Sequence, residues 1–293
     1  MKIGFIGLGN MGAPMAANLA KAGHEVFGYD TAEVSVEGVT QVCEASQATI
    51  DMDAVITMLP DGRILKSVYE QIVPLGKPGA LFLDCSTVDM LSSKSAHQQA
   101  AEAGLLSVDA PVSGGMGGAI AGTLTFMVGS SAEAFEQVKP LLDIMGKRVV
   151  HCGEGGAGQA AKICNNMLLG ISMIGTCEAF ALGEKLGLDA ERLFEVMSTS
   201  SGSCWSVNTY CPVPGVGPSS PADNGYKPGF AAELMLKDLR LSQNAAEQVD
   251  ASTPMGLNAT RIYEKFVERE GLGKDFSAML LALAASTRGQ SND

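Results

Sequence analysis

The sequence predicts an α/β N-terminal domain with a mostly parallel sheet, joined by one long helix to an all-α C-terminal domain. Three observations carry this. Short apolar runs alternate with amphipathic stretches through the first half of the chain. Residues 160–186 then run without a proline and are rich in Ala, Leu, Ile and Met. Beyond them the strand signals stop and helical spacing takes over.

Residues 2–7 form an apolar run ending in glycine, the first strand. In residues 11–22, Met11, Met15, Leu19 and Ala22 fall at helical spacing. Residues 24–30, 54–59, 80–83 and 105–108 read as further strands, and 61–69 and 90–103 as helices. Strands spaced by helices make βαβ units in an open sheet with helices on both faces and right-handed crossovers. The stretch 30–51 is weakly patterned, so a reduced or missing helix is expected there. Residues 125–128 and 149–152 add two strands at the far edge.

In the second half, 160–186 reads as one long helix, buried over much of its length and lying against both domains. Residues 189–197 form the next helix, with Asp189 as its N-cap. Residues 230–248, 254–270 and 276–285 complete the helical half. Residues 198–228, rich in Ser, Gly and Pro, read as a long loop, and loops of that length are functional or disordered. The glycine-rich stretch 153–158 marks the boundary, giving domains 1–156 and 157–293.

A chain of 293 residues suits two domains, and 46% hydrophobic with 18% charged residues is a soluble globular composition. A net charge of −12 argues against nucleic-acid and membrane-surface partners. It also means that an anionic substrate must be attracted locally. The seven cysteines are scattered and contain no C-x-x-C pair, which favours a reducing compartment over a disulfide framework or zinc site. No apolar run of bilayer-spanning length is expected. A first strand beginning at Lys2 leaves no room for a signal peptide. The expected location is the cytoplasm, or the mitochondrial matrix if a transit peptide has been removed. His24 precedes a strand, His97 lies on a polar helix face and His151 sits in an edge strand. None is a candidate catalyst, and no metal is expected.

Gly7-Leu8-Gly9-Asn10-Met11-Gly12 fits G-x-G-x-x-G between a strand and a helix, the context that turns a weak motif into a dinucleotide site. Gly7 permits the turn, Gly9 the approach of a pyrophosphate, and Gly12 close packing of helix on strand. The pyrophosphate is then held by free N–H groups at the helix start. Asp30, at the end of the second strand, suits the ribose hydroxyls and repels a 2′-phosphate. Thr31 follows with no arginine close by, so NAD is favoured over NADP in a Rossmann-type domain.

These first thirty residues resemble the signature of the β-hydroxyacid dehydrogenases. Further segments match in order: Leu59-Pro60, Asp84-Cys85-Ser86-Thr87, Asp109 to Gly115, Gly118 to Thr123, Gly158 to Asn166, and Leu236 to Leu239. They run over nearly the whole chain. The loop 200–216 and the stretch 224–230 resemble the 3-hydroxyisobutyrate dehydrogenase branch, although Cys204 and Cys211 stand where asparagine is expected. The resemblance implies NAD-dependent oxidation of 3-hydroxyisobutyrate to methylmalonate semialdehyde, a step of valine degradation, in a homodimer or homotetramer. It implies Lys162 as the catalytic residue with Asn166 beside it. Ser113, Gly114 and Gly115 are implied as the substrate-carboxylate site. Leu59, Pro60 and Thr87 are implied near the nicotinamide, Lys237 on cofactor and substrate, and Asp238 beside it. Other members of the family act on 3-hydroxypropionate, tartronate semialdehyde or succinic semialdehyde with the same core residues. A dinucleotide-binding module without activity is the reading from another class.

The chemistry needs these residue types. Oxidising an alcohol with NAD removes a proton from oxygen and a hydride from carbon, so a base must reach the hydroxyl. A lysine among apolar neighbours can be pushed toward a neutral amine by desolvation. Asn166, four residues beyond Lys162, shares its helix face and can donate to the substrate oxygen. On the residues alone, Lys162 also reads as a lysine snorkelling from a helix end. Ser113-Gly114-Gly115 is either an anion nest or an ordinary glycine turn, and Lys237-Asp238 either site residues or a surface pair. Trp205 is expected at the pocket mouth.

Overall fold

The computed structural model describes residues 1–286. The chain divides into two compact units, Met1–Lys162 and Ile163–Asp293. The first contains nine strands: β1 (Lys2–Ile6), β2 (Glu25–Tyr29), β3 (Val39–Gln41), β4 (Ala54–Thr57), β5 (Leu81–Asp84), β6 (Leu106–Asp109), β7 (Val112–Ser113), β8 (Leu124–Gly129) and β9 (Gly146–Gly153). They make one sheet in the order β3-β2-β1-β4-β5-β6-β8-β7, with β9 also paired to β8. The pairings from β3 to β6 and that of β8 with β9 are parallel; β6 and β7 meet β8 antiparallel.

Alternation along the strands builds a core on each face. Ile3, Phe5, Ala54, Ile56, Leu81 and Leu83 point to one face. There they meet Met15 and Leu19 of α1 (Gly12–Lys21). Val138, Leu141 and Leu142 join them from the fifth helix of the unit, Ala132–Met145. Ile6, Val55 and Phe82 point to the other face, under Leu65, Tyr69 and Ile72 of α2 (Gly62–Ile72) and Ala96 and Ala100 of α3 (Met90–Glu102). With both faces covered, the central strands are apolar throughout, as parallel sheets require. Asp61 and Asp89 cap α2 and α3 by accepting from Ile64 N and Ser92 N.

The stretch after Asp30 contains no α-helix and instead supplies β3. Three further elements lie outside the sequence expectation: β7, the short α4 (Gly115–Ala121), and α5, the Ala132–Met145 helix named above. The α5 signal is present nonetheless, in the Ser131 cap and in Ala134, Val138, Leu141, Leu142 and Met145 at helical spacing. Asn18 Nδ2 donates to Ala119 O at 2.8 Å, tying α1 to α4.

Helix α6 (Ala157–Lys185) begins in the first unit and continues into the second. The second unit adds α7 (Ala190–Thr199), α8 (Trp205–Asn208), α9 (Ala232–Gln248), α10 (Pro254–Phe266) and α11 (Met279–Ser286). Its core joins Met173, Ile174 and Cys177 of α6 to Met235, Leu236 and Leu239 of α9, with Tyr263 and Phe266 of α10. Gly170 lets α9 approach, since a Cβ there meets Leu239 and Met235. Asp189 caps α7 as expected, accepting from Arg192 N.

One expectation is overturned. Helix α6 is long and apolar enough to cross a bilayer, with a mean hydropathy of 1.3 over its best window, 44% of it buried. The reason is packing: Ile163, Met173, Ile174, Cys177 and Phe180 are core side chains, and a core helix passes the same length-and-hydropathy test. The region 198–228 is ordered rather than open. It holds α8 and a 3₁₀ turn, Pro221–Asn224, whose N-cap Ser220 and Asp223 form a capping box.

Candidate active site

In the first unit the glycine motif forms a tight turn between β1 and α1. Gly7 has φ +97°, and a Cβ there strikes the carbonyl of Met58. A Cβ on Gly12 strikes the carbonyl of Gly7, so helix and strand pack at backbone distance. A Cβ on Gly9 would meet nothing within 4 Å, and no side chain caps α1. The first N–H groups of the helix therefore stand without a side-chain partner beside an open backbone, which is what a pyrophosphate requires. Asp30 Oδ2 accepts from Leu8 N at 2.7 Å and Oδ1 from Ala32 N at 2.9 Å. Its carboxylate is thus fixed against the turn, with lone pairs left for ribose hydroxyls. A groove of about 400 Å³ runs along Leu8, Gly9, Asn10, Ala13 and Pro14 to Val34, Met116 and Ile120. The residues present fit a dinucleotide.

Leu59, Pro60 and Thr87 follow the carboxyl ends of the adjacent parallel strands β4 and β5, the edge where open α/β sheets bind ligands. Leu59 N donates to Ser86 Oγ at 2.8 Å. Ser86 Oγ in turn donates to Asp84 Oδ1 at 2.5 Å, and the Thr57 hydroxyl donates to the same oxygen at 2.8 Å. Asp84 Oδ2 is buried with no hydrogen-bond partner. Burial pushes the Asp84 carboxyl up to about 6 against the pull of these donors, and neighbouring Asp109 adds to the rise. Because the native value lies above the unfolded one, this group's contribution to stability is full below pH 3.8 and is lost as pH rises through about 6.

Ser113 ends β7, and Gly114 and Gly115 follow with φ +133° and +61°. Both φ values favour glycine, and no side chain caps α4, so its first N–H groups have no side-chain cap.

Asp109, missed as a functional candidate, fixes the start of α6. Its Oδ1 accepts from Gly156 N at 2.7 Å and its Oδ2 from Gln159 N at 2.8 Å. His97 Nε2 lies 2.9 Å from Oδ1. The expectation of His97 on a polar face is corrected: its ring is half-buried against a buried carboxylate, drawn in by that charge. Gly158 has no room for a side chain against Met127 O and Asp109 O. Lys162, one turn further on, is 7% exposed.

In the second unit the buried Asn166 donates through Nδ2 to Asp238 Oδ2 at 2.6 Å and accepts from Asn165 Nδ2 at 2.9 Å. Lys237 Nζ stands 3.6 Å from Asp238 Oδ1. Lys237-Asp238 is therefore not a simple surface pair: Asp238 is buried and orients the Asn166 amide. Asn165 and the Asn166–Asp238 bond were not anticipated. Trp205 is 49% exposed and stacks on Tyr210 with ring centroids 4.8 Å apart. Among the described residues no group of three potential metal ligands occurs, and all seven cysteines are free.

Residues 2–153 match the family model described as the NAD-binding domain of 6-phosphogluconate dehydrogenase. Residues 156–283 match the one described as NAD-binding of NADP-dependent 3-hydroxyisobutyrate dehydrogenase. A Pseudomonas aeruginosa protein named 3-hydroxyisobutyrate dehydrogenase is 48% identical, with 94% of this chain and 96% of that one covered. Another from the same organism, named NAD-dependent L-serine dehydrogenase, is 45% identical over 99% of each chain. A solved structure from Mycobacterium tuberculosis, titled as 3-hydroxyisobutyrate dehydrogenase with L-serine, superposes with a TM-score of 0.92. It is 46% identical and covers 96% of this chain and 98% of its own. With matches of this extent across both units, the chain belongs to the β-hydroxyacid dehydrogenase family and is an NAD-binding oxidoreductase acting on hydroxyacids.

Proposed function

We propose that the chain oxidises 3-hydroxyisobutyrate to methylmalonate semialdehyde, with Lys162 as general base in oxidation and general acid in reduction. The observation that carries this is the placement of Lys162: a lysine 7% exposed on α6, one helical turn before an asparagine whose amide is oriented by a buried carboxylate. Lys162 Nζ takes the proton of the substrate hydroxyl. Asn166 spends one N–H on Asp238 and directs the other to the same oxygen. Ser113, Gly114 and Gly115 receive the carboxylate through hydroxyl and backbone donors, the local attraction that an acidic chain must supply. Lys237 brings a second positive charge to cofactor and substrate, and Trp205 borders the substrate. NAD, held by the Gly7–Gly12 turn and Asp30, supplies the hydride acceptor. In this reading residues 1–156 bind NAD, and residues 157–293 serve substrate binding and homo-oligomerisation.

A second reading has a specific basis: one relative is named for L-serine and one solved structure contains it. Both compounds are 3-hydroxy acids substituted at C2, by a methyl in one and an ammonium in the other. The test is NADH formation from 3-hydroxyisobutyrate, L-serine, 3-hydroxypropionate, glycerate and 4-hydroxybutyrate. The highest kcat/KM is expected for 3-hydroxyisobutyrate. A preference for L-serine would move the assignment to the second reading, and no turnover of any would reduce the chain to a dinucleotide-binding module.

Asp30 is expected to set the preference for NAD over NADP. Asp30→Asn keeps an acceptor for Leu8 N but removes the charge that repels a 2′-phosphate. The ratio of kcat/KM for NAD to that for NADP should fall by about tenfold or more, each tenfold being about 1.4 kcal/mol. An unchanged ratio would place the discrimination elsewhere.

A further inference from the structure

The first turn of α6 carries a side chain that the proposed chemistry does not use. Gln159 is fully buried and lies one helical turn ahead of Lys162. Its Nε2 donates to Ser86 O at 2.7 Å, and its Oε1 accepts from Val88 N at 3.1 Å. Both ends of the amide are thereby spent on the segment after β5. That segment holds the turn after β4 as well, since Leu59 N donates to Ser86 Oγ. Ser86 is itself fixed by Asp84, through Ser86 Oγ at 2.5 Å and Ser86 N at 3.1 Å. The backbone of Gln159 is anchored separately, on Asp109 Oδ2 at 2.8 Å. One side chain therefore links the helix bearing Lys162 to the Leu59-Pro60 turn through Ser86, all within the first unit.

We infer that Gln159 is a positioning residue that holds Lys162 in register with the Leu59-Pro60 turn through the Ser86 clamp. The inference deepens the proposed function and rests on Lys162 as the base. The geometry favours this role over simple space filling. A filler at a buried site is apolar, because an amide there gains only if both its ends find partners. Here both do, and the two partners belong to the backbone of one three-residue stretch, Ser86 to Val88. A displacement of about 1 Å at a reacting group can cost roughly 100-fold in rate, so a tether of this kind acts on kcat.

Two near-isosteric variants test it. Gln159→Met removes both bonds and keeps most of the volume; kcat should fall by roughly 10–100-fold, a larger change than that in the Kd for NADH. Gln159→Glu keeps the acceptor for Val88 N but sets a carboxylate against Ser86 O, a donor lost and a repulsion gained. Its kcat relative to wild type should be low at high pH and recover as pH falls, because the protonated carboxyl regains the donor. A residue that only fills space gives no such pH dependence in the ratio. If Gln159→Met does not fold, Gln159→Glu at low pH still decides. A flat ratio across pH, or Gln159→Met turning over like wild type, overturns the role. Amide hydrogen exchange separates this from the proposed function. If wild type turns over no hydroxyacid, the functional reading fails, while faster exchange at both Leu59 and Val88 in Gln159→Met still supports the clamp. Unchanged exchange at Leu59 removes it.

Discussion

Lys162→Ala is expected to lower kcat by roughly 10²–10⁴-fold, the range that a positioned general base contributes, while the Kd for NADH stays within a factor of about two. The split follows from where the residue sits. The glycine turn and Asp30 belong to the β1–α1–β2 end of the first unit, the 400 Å³ groove runs from there to α4, and Lys162 on α6 does not line it. Lys162→Arg should not rescue, because a guanidinium stays protonated and cannot accept the hydroxyl proton. A small primary amine added to Lys162→Ala should restore part of the rate, since the space left behind admits a base of the missing kind. The measurements are steady-state kcat at saturating substrate and fluorescence titration with NADH. Turnover by Lys162→Ala near the wild-type rate would end the proposed role, whatever the substrate.

Much of this was legible from spacing alone. Strand periodicity and glycine placement belong to neighbouring residues, so β1, α1, β2, β4, β5 and the dinucleotide turn could be read directly. Asp189 as the cap of α7 is legible for the same reason. What escaped depends on partners distant in sequence. Asn166 is oriented by a residue 72 positions away, Gln159 by one 73 away, and the start of α6 by a carboxylate 47 and 50 away. No local pattern marks such pairs. His97 shows the limit most clearly: its own helix gives it a polar setting, and only the sheet reveals Asp109 beneath it. The long region 198–228 reads as loop because its composition is that of loops. Its order comes from side-chain bonds, Ser220 Oγ to Cys211 O at 2.7 Å and Tyr226 Oη to Pro212 O at 2.9 Å.

The largest stability effect is expected at Asp275, which anchors that same region from the segment leading into α11. Asp275 is fully buried and is the hub of five hydrogen bonds. Its Oδ2 accepts from the Tyr210 hydroxyl at 2.9 Å and from Gly229 N and Phe230 N at 3.0 Å each. Its Oδ1 accepts from Ser277 N at 3.0 Å and Ser277 Oγ at 2.6 Å. The carboxylate thus ties the end of the ordered loop, through Tyr210, Gly229 and Phe230, to the start of the segment leading into α11. Asp275→Ala strands three backbone N–H groups, and each orphaned buried donor costs about 1–3 kcal/mol. A loss of about 3–5 kcal/mol is the expected total, since part of the cost relaxes. Asp275→Asn should fare little better. Either orientation of the amide turns an NH₂ toward N–H donors, and only the hydroxyls of Tyr210 and Ser277 can reverse their roles. With two units a single unfolding free energy is ill-defined, so the readout is the lower-melting calorimetric transition, expected to drop by about 10 °C. Limited proteolysis should cut Asp275→Ala first within 200–230, because Trp205, Tyr210, Phe276 and Phe230 form one run of ring contacts at 4.8, 5.3 and 5.6 Å that the carboxylate backs. An Asp275→Asn chain melting like wild type would show that those donors find other partners and that the aromatic run, not the carboxylate, holds the loop.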